Sequence, residues 1–320
     1  MPAFGKVPGA RDRSAHGRFP VLLACAAACM AAAASLEAQT LDDSVMMPRG
    51  ALCTGFLYTH DSWDEYWEGT LERRNGNIGT VTTEAVAWMG NYGITDRLNV
   101  IAMLPYVWTE ASQGVLSGMS GVQDATLAVK YQMLDTPFTG AGSMRAIAVA
   151  SASTPASDYV PDFLPMSIGL GSSSVAGRLT LSFRAKRGWF LDGSGAYTWR
   201  GNVGLDRSSY YTDGQLFLSD EVAMPDVFDY MISVGYQDRR FNIPISFRQQ
   251  FTRGGGDIRR QDMPFVSNNM DYSRLEATAM YWPGKPRNLG VKLGAAYTVD
   301  GRNVGRATTL LAGLLYTIHF

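Results

Sequence analysis

The sequence predicts an all-β protein, a transmembrane antiparallel β-barrel of about 12 strands with short periplasmic turns and long extracellular loops. Three observations predict it. Apolar and polar side chains alternate with a period of two through most of the chain, the connections between these stretches alternate between short and long, and the last stretch ends on an aromatic residue. Composition agrees. The 320 residues are 46% hydrophobic and 18% charged with a formal charge of −1, which excludes a disordered chain and a basic nucleic-acid binder. Three cysteines and three histidines leave no disulfide scaffold and little stock for a metal site, so no cofactor or metal is expected.

The first element is an export signal over residues 1–38. Lys6, Arg11, Arg13 and Arg18 precede an alanine-rich apolar run from Phe19 to Ala34, and Leu36-Glu37-Ala38 supplies a small residue for cleavage. The run is too short to span a membrane as a helix, and nothing later approaches the length required. Cys25 follows Leu22-Leu23-Ala24 as in a lipoprotein signal, but it stands too close to Arg18 for the usual apolar region. Cleavage near Ala38 removes four basic and two acidic groups, taking the charge from −1 to −3. It leaves Cys53 as the single thiol, expected as a small buried hydrophobe. Residues 39–49 are expected as a short periplasmic segment, too short for a plug domain, and residues 50–320 as the barrel.

Alternation then marks the strands. In Leu179-Thr180-Leu181-Ser182-Phe183-Arg184-Ala185 every second side chain is apolar. Phe241, Ile243, Ile245, Phe247 and Phe251 likewise oppose Asn242, Ser246, Arg248 and Gln250. Similar stretches lie near 50–60, 78–92, 97–110, 121–134, 143–153, 172–185, 189–203, 227–239, 241–252, 271–283, 289–300 and 307–320. Brief links such as 93–96 and 186–188 separate long ones at 61–77, 111–120, 154–171, 204–226 and 253–270, the topology of an outer-membrane barrel with both termini in the periplasm. In the last strand Leu310, Ala312, Leu314, Tyr316, Ile318 and Phe320 share one face. A terminal Phe320 there resembles the signal that the barrel assembly machinery reads. A soluble lipocalin or sandwich also alternates, but its outer face is polar. Here the apolar face ends in aromatics (Tyr106, Trp108, Tyr197, Trp199, Tyr236, Tyr281, Tyr297), as a girdle against outer-membrane lipid requires.

With the apolar face toward lipid, the other face lines the lumen. The candidates are Glu84, Asp124, Lys130, Arg178, Arg184, Asp192, Arg200, Asp229, Arg248, Arg274, Glu276 and Lys292. Their basic members gather on strands six to eleven. Such a wall guides small anions or zwitterions through a narrow pore, or its charges pair across the lumen and block it; the sequence leaves both open. In the first long loop Trp63, Tyr66 and Trp67 recur at i, i+3 and i+4 among acidic residues, an amphipathic helix pattern. These aromatics either pack on the rim or fold over the pore mouth. Catalysis finds no support. His16 leaves with the signal, His319 sits at the periplasmic end of the last strand, and His60 has no serine motif around it.

Two stretches carry a family resemblance. Tyr92-Gly93-Ile94-Thr95-Asp96-Arg97-Leu98-Asn99-Val100 with Leu104-Pro105-Tyr106-Val107, and Ser120-Gly121-Val122-Gln123-Asp124-Ala125-Thr126-Leu127-Ala128-Val129-Lys130-Tyr131, resemble the outer-membrane transporter family associated with meta-cleavage degradation of phenol. The resemblance implies a transporter of aromatic or hydrophobic compounds and carries over no catalytic residue. The expectation is a channel in the outer membrane of a Gram-negative bacterium, not an enzyme, for passive movement of small-molecule solutes and without nucleic-acid partners. Its alternatives are a structural or surface-interaction barrel with a blocked lumen and an outer-membrane lipid-modifying enzyme.

Overall fold

The computed structural model describes residues 40–138, 140–259, 263–284 and 288–320. The export signal expected over residues 1–38 lies outside them. Among the described residues there is no helix, and twelve long strands form one antiparallel sheet closed on itself. They are β1 (Ala51–Trp63), β2 (Val81–Thr95), β3 (Leu98–Ala111), β4 (Asp124–Phe138), β5 (Gly142–Pro155), β6 (Ser174–Ala185), β7 (Trp189–Arg200), β8 (Asp226–Gln237), β9 (Phe241–Arg253), β10 (Asp271–Tyr281), β11 (Leu289–Arg302) and β12 (Thr308–His319). Each pairs with its sequence neighbours, and β12 closes the ring on β1, with His319 opposite Ala51 and Thr308 opposite Ser62. The seam is finished at the terminus, where the Phe320 N–H donates to the Gly50 carbonyl at 2.9 Å.

Closure leaves the sheet without an unpaired edge strand. The two ends of the barrel differ. At one end lie both ends of the sheet, at Gly50 and Phe320, together with brief turns such as Asp96-Arg97 and 186–188. At the other lie the connections 64–80, 112–123, 156–173, 201–225 and 254–270. The link from β11 to β12, residues 303–307, is also at this loop end and is the exception in being short. Outward positions follow the expected period. Phe56, Leu127, Leu181, Leu191, Ile232, Ile245, Leu293 and Leu314 are all more than half exposed on the outer face. Aromatics bound this band at both ends: Trp189 meets Tyr236, Phe241 stacks on Tyr281 and Tyr92 meets Phe320 at the terminal end, and Tyr106 and Tyr58 meet Trp108 at the loop end.

The structure corrects three expectations. First, the segment ahead of β1 does not stay outside the barrel. From Gly50, whose N–H is bonded to the Gly93 carbonyl, residues 40–48 run into the interior, and Ser44, Val45 and Met47 are buried. Length was no obstacle, since eight extended residues reach roughly 27 Å, most of a barrel's height. Second, the first long loop is not helical. Trp63 ends β1, and Glu65–Glu68 pairs with Leu71–Arg74 as a hairpin. Trp67 is buried there, and Gly301 and Val304 lie beside its ring. The i, i+3, i+4 spacing arises because the chain turns between Trp63 and Tyr66, which brings their rings to 6.1 Å. Third, Glu84 does not face the lumen. On β2 it shares the outward face with Val86 and Trp88, and it is opposite His60 on β1 and Trp108 on β3. It accepts hydrogen bonds from the Tyr58 hydroxyl and Trp108 Nε1, and His60 Nδ1 lies 3.2 Å away. Three outward partners make a carboxylate tolerable on that face near the loop end, where a charge costs least.

Candidate functional site: the barrel lumen

The lumen is built from the inward half of each strand. The structure places Asp124, Lys130, Arg178, Arg184, Asp192, Arg200, Asp229, Arg248, Arg274, Glu276 and Lys292 on that face. Strands β1–β5 add apolar side chains there: Cys53, Leu57 and Met89 on one side, Ile101, Ala128, Ile147 and Val149 on the other. An apolar inner wall is unusual for a water-filled pore, and the segment ahead of β1 accounts for it. Met47 packs with Cys53, Leu57 and Met89, whereas Leu41 and Met46 cover the group around Ile147.

The polar side chains of the same segment meet the charged wall. Asp42 accepts from Arg178 Nε at 3.2 Å and Arg248 Nη2 at 2.6 Å. The same two arginines grip Asp229, at 2.9 and 3.1 Å, and Arg248 Nε reaches Glu276 at 3.2 Å. Asp42 belongs to this segment and not to a spanning strand. Burial alone would raise its carboxyl, but Arg248 and Arg178 outweigh burial and hold it below the usual carboxylate range. One residue on, Asp43 Oδ1 lies 2.7 Å from Lys130 Nζ, which also donates to the Thr40 carbonyl at 2.9 Å; the Lys130 side chain is wholly buried. Ser44 Oγ donates to Asp192 Oδ2 at 2.7 Å and accepts from Arg184 Nη2 at 2.7 Å. Three consecutive residues thus neutralise or bridge most of the basic wall.

The remaining charged side chains sit elsewhere along the axis. Nearer the loop end, Arg274 bonds Asp61 at 3.0 Å, and Asp124 accepts from the Tyr159 hydroxyl at 2.6 Å. The carboxylate of Asp226 is held by the Arg200 backbone N–H and by Tyr197. On the loops, Asp257 receives Arg302 through two nitrogens at 2.7 and 2.8 Å, a pairing that holds its carboxyl below the usual range. Beside the inserted segment a void of about 220 Å³ remains, walled by Asp42, Arg184, Phe190, Arg248, Glu276 and Lys292. A second of about 210 Å³ lies at Asp61, Tyr272 and Arg274. The loop end carries its own apolar core of Val203, Leu205, Tyr210, Val222, Met224, Phe265 and Val266, formed by the 201–225 and 254–270 connections. Trp63 and Tyr66 line a further cavity among the loops, whereas Trp67 packs beneath them.

The inserted segment escaped the sequence reading because it has no period of two and its partners are distant in the chain. Its one signal was the pair Asp42-Asp43 flanked by Leu41 and by Met46-Met47, a charged and apolar mixture matching a lumen with one basic and one apolar side.

A family model described as "Putative MetA-pathway of phenol degradation" matches residues 76–312. The chain belongs to this family. Among solved structures, an outer-membrane channel from Pseudomonas putida F1 is similar in fold with a TM-score of 0.69 at 14% identity, covering 88% of this chain and 100% of that one. A NanC porin aligns at a TM-score of 0.43 and 8% identity over 81% of this chain and 98% of that one. No curated protein matches the sequence. The family match starts at residue 76 and ends at 312, so it spans β2 to β11 with the first five residues of β12, and leaves out the inserted segment and β1.

Proposed function

We propose that the protein is a narrow outer-membrane channel whose lumen is held shut by residues 40–48, with the two ends of the sheet, at Gly50 and Phe320, on the periplasmic side and the long loops outside the cell. Small solutes pass when that segment moves. The observation that carries this reading is the way the obstruction is fastened. Among the described residues the obstruction is a strip held by a few ion pairs and by apolar contacts that involve a handful of side chains. The family's link to phenol degradation supports aromatic or hydrophobic compounds as solutes. Phe320, exposed at the periplasmic rim, is the group through which the assembly machinery would engage the last strand. A non-enzymatic role fits the surroundings of His60, which is held by Glu84 on the outer face and not by a nucleophile.

The test compares the refolded barrel with a variant lacking residues 40–47, both checked for folding by heat-shifted gel mobility. Currents across a planar bilayer are expected to be small or rare for the full protein and several-fold larger for the deletion. A deleted barrel that folds and still carries no current removes the channel reading. It would favour the blocked, structural barrel, a reading supported by the pairing of Arg178 and Arg248 with Asp229 without help from the inserted segment.

A further inference from the structure

Four cations crowd one arc of the short-turn end of the barrel. Lys186 and Arg187 stand in the turn from β6 to β7, and Arg239 and Arg240 in the turn from β8 to β9; all four are exposed. The two turns are neighbours. β7 pairs with β8, so Trp189 is opposite Tyr236, and the Gln237 N–H donates to the Gly188 carbonyl at 2.8 Å. On their outer flanks the Lys186 N–H donates to the Ala141 carbonyl at 3.0 Å, and the Arg240 carbonyl accepts from the Trp282 N–H at 2.9 Å. Both turns are thus fastened on two sides.

Charge on this arc is not balanced. Among the described residues none of the four cations takes part in an ion pair. The acid on these turns is Asp238, whose Oδ1 accepts from the Arg240 and Phe241 backbone N–H groups at 2.7 and 2.8 Å, bonds that hold its carboxyl below the usual range. The two turns together carry a net charge of +3. Elsewhere at this end the signs are mixed: Arg145 bonds Asp135 at 3.0 Å, and the turn Asp96-Arg97 carries one charge of each sign beside Arg49.

The aromatic belt begins one to three residues along from these cations. Trp189 meets Tyr236 at 5.6 Å and Phe241 stacks on Tyr281 at 4.9 Å, so four consecutive strands, β7 to β10, present an outward ring at this level. Rings of this kind mark the boundary between hydrocarbon and headgroups, which places the cations among the headgroups. An acidic protein would answer the charge but not the rings, since those face hydrocarbon.

We propose that this arc binds an anionic phospholipid, its phosphate among Lys186, Arg187, Arg239 and Arg240 and its glycerol and upper acyl chains on the four rings. Guanidinium groups suit phosphate because their forked N–H groups meet two oxygens at once. Placing this lipid in the inner leaflet rests on the orientation proposed above, whereas the preference for it does not.

The experiment offers the refolded full barrel in detergent an equimolar mixture of phosphatidylglycerol and phosphatidylethanolamine and counts retained lipids by native mass spectrometry. A cation near an anionic surface is worth roughly five-fold in association, so the parent is expected to retain phosphatidylglycerol by about ten-fold or more. Lys186→Gln, Arg187→Gln, Arg239→Gln and Arg240→Gln together should lower this to about two-fold with heat-shifted mobility unchanged. Should that variant fail to fold, either turn changed alone should cost about three-fold. Arg49→Gln with Arg97→Gln, on another arc of the rim, should leave the preference as it is, and an excess of inorganic phosphate should not displace the lipid. Parity between the two lipids in the parent, a preference unmoved in the turn variants, equal loss in the Arg49 and Arg97 variant, or displacement by phosphate overturns the proposal. Retention is read without current, so it stands or falls separately from the channel.

Discussion

Lys130 shows how much one side chain decides. Its ammonium is fully enclosed, and Asp43 and the Thr40 carbonyl supply its described partners. Breaking a buried pair by removing one partner costs about 3–5 kcal/mol, because the remaining charge stays buried without compensation. Asp43→Asn is therefore expected to release the inserted segment roughly a hundred-fold more often, read as faster tryptic cleavage after Arg49, which is exposed at the rim. Pairing it with Lys130→Met should restore much of the protection. Asp42 sets the pH range. Its folded carboxyl lies below the usual value, so its contribution is complete above the ordinary range, about pH 4, and is lost as pH falls through the depressed folded value. Current through the full protein should stay flat from about pH 7 to about pH 4 and rise only in stronger acid. A rise centred near pH 6 would contradict this assignment. At this scale the sequence was informative about charge but not about partners. Of the twelve charged residues it assigned to the lumen, eleven stand on inward strand positions, and it misassigned Glu84 because a carboxylate was taken as a mark of the lumen. The neighbours that let Glu84 face outward, Tyr58, His60 and Trp108, come from two other strands and are visible only once the register is known.

At the scale of elements, the twelve strands were legible because a barrel strand imposes its two environments on alternate side chains, and that constraint is written locally. The loop hairpin 65–74 and the inserted segment were not, for a shared reason: each is defined by what it packs against. Gly93 shows how closely one such packing is fitted. A Cβ there would stand 2.2 Å from the Pro48 carbonyl oxygen and 2.8 Å from that of Met47, both backbone atoms that cannot step aside singly. Gly93→Ala is expected to leave the barrel folded, since the alanine adds little to a strand, and to push the inserted segment off the β2 rim. Larger currents with unchanged heat-shifted mobility would bear this out. Currents equal to those of the parent would mean that the segment adjusts around the new methyl.

For the whole molecule, the placement of charge makes selectivity depend on whether the segment is in place. With it, Asp42 and Asp43 face Arg178, Arg248 and Lys130. Without it, the central lumen keeps Lys130, Arg178, Arg184, Arg248 and Lys292 against Asp192, Asp229 and Glu276, five cations against three carboxylates. The variant lacking residues 40–47 should then prefer anions, measured as a reversal potential in a salt gradient whose sign favours chloride, and the preference should fade as salt rises. A cation preference would mean that the carboxylates control the open lumen. Glu84, finally, ties the barrel to a particular thickness of membrane. From Glu84 to Ile94 at the other end of β2 is ten residues, roughly 34 Å along the strand and about 24 Å vertically at a tilt near 45°, close to the ~25 Å apolar band of such barrels. Sliding the protein one pleat toward the cell would immerse a carboxylate in hydrocarbon, while a thicker bilayer would have to pinch inward around it. In an outer membrane the protein would thereby be held at one depth, and mismatch energy would disfavour thicker bilayers.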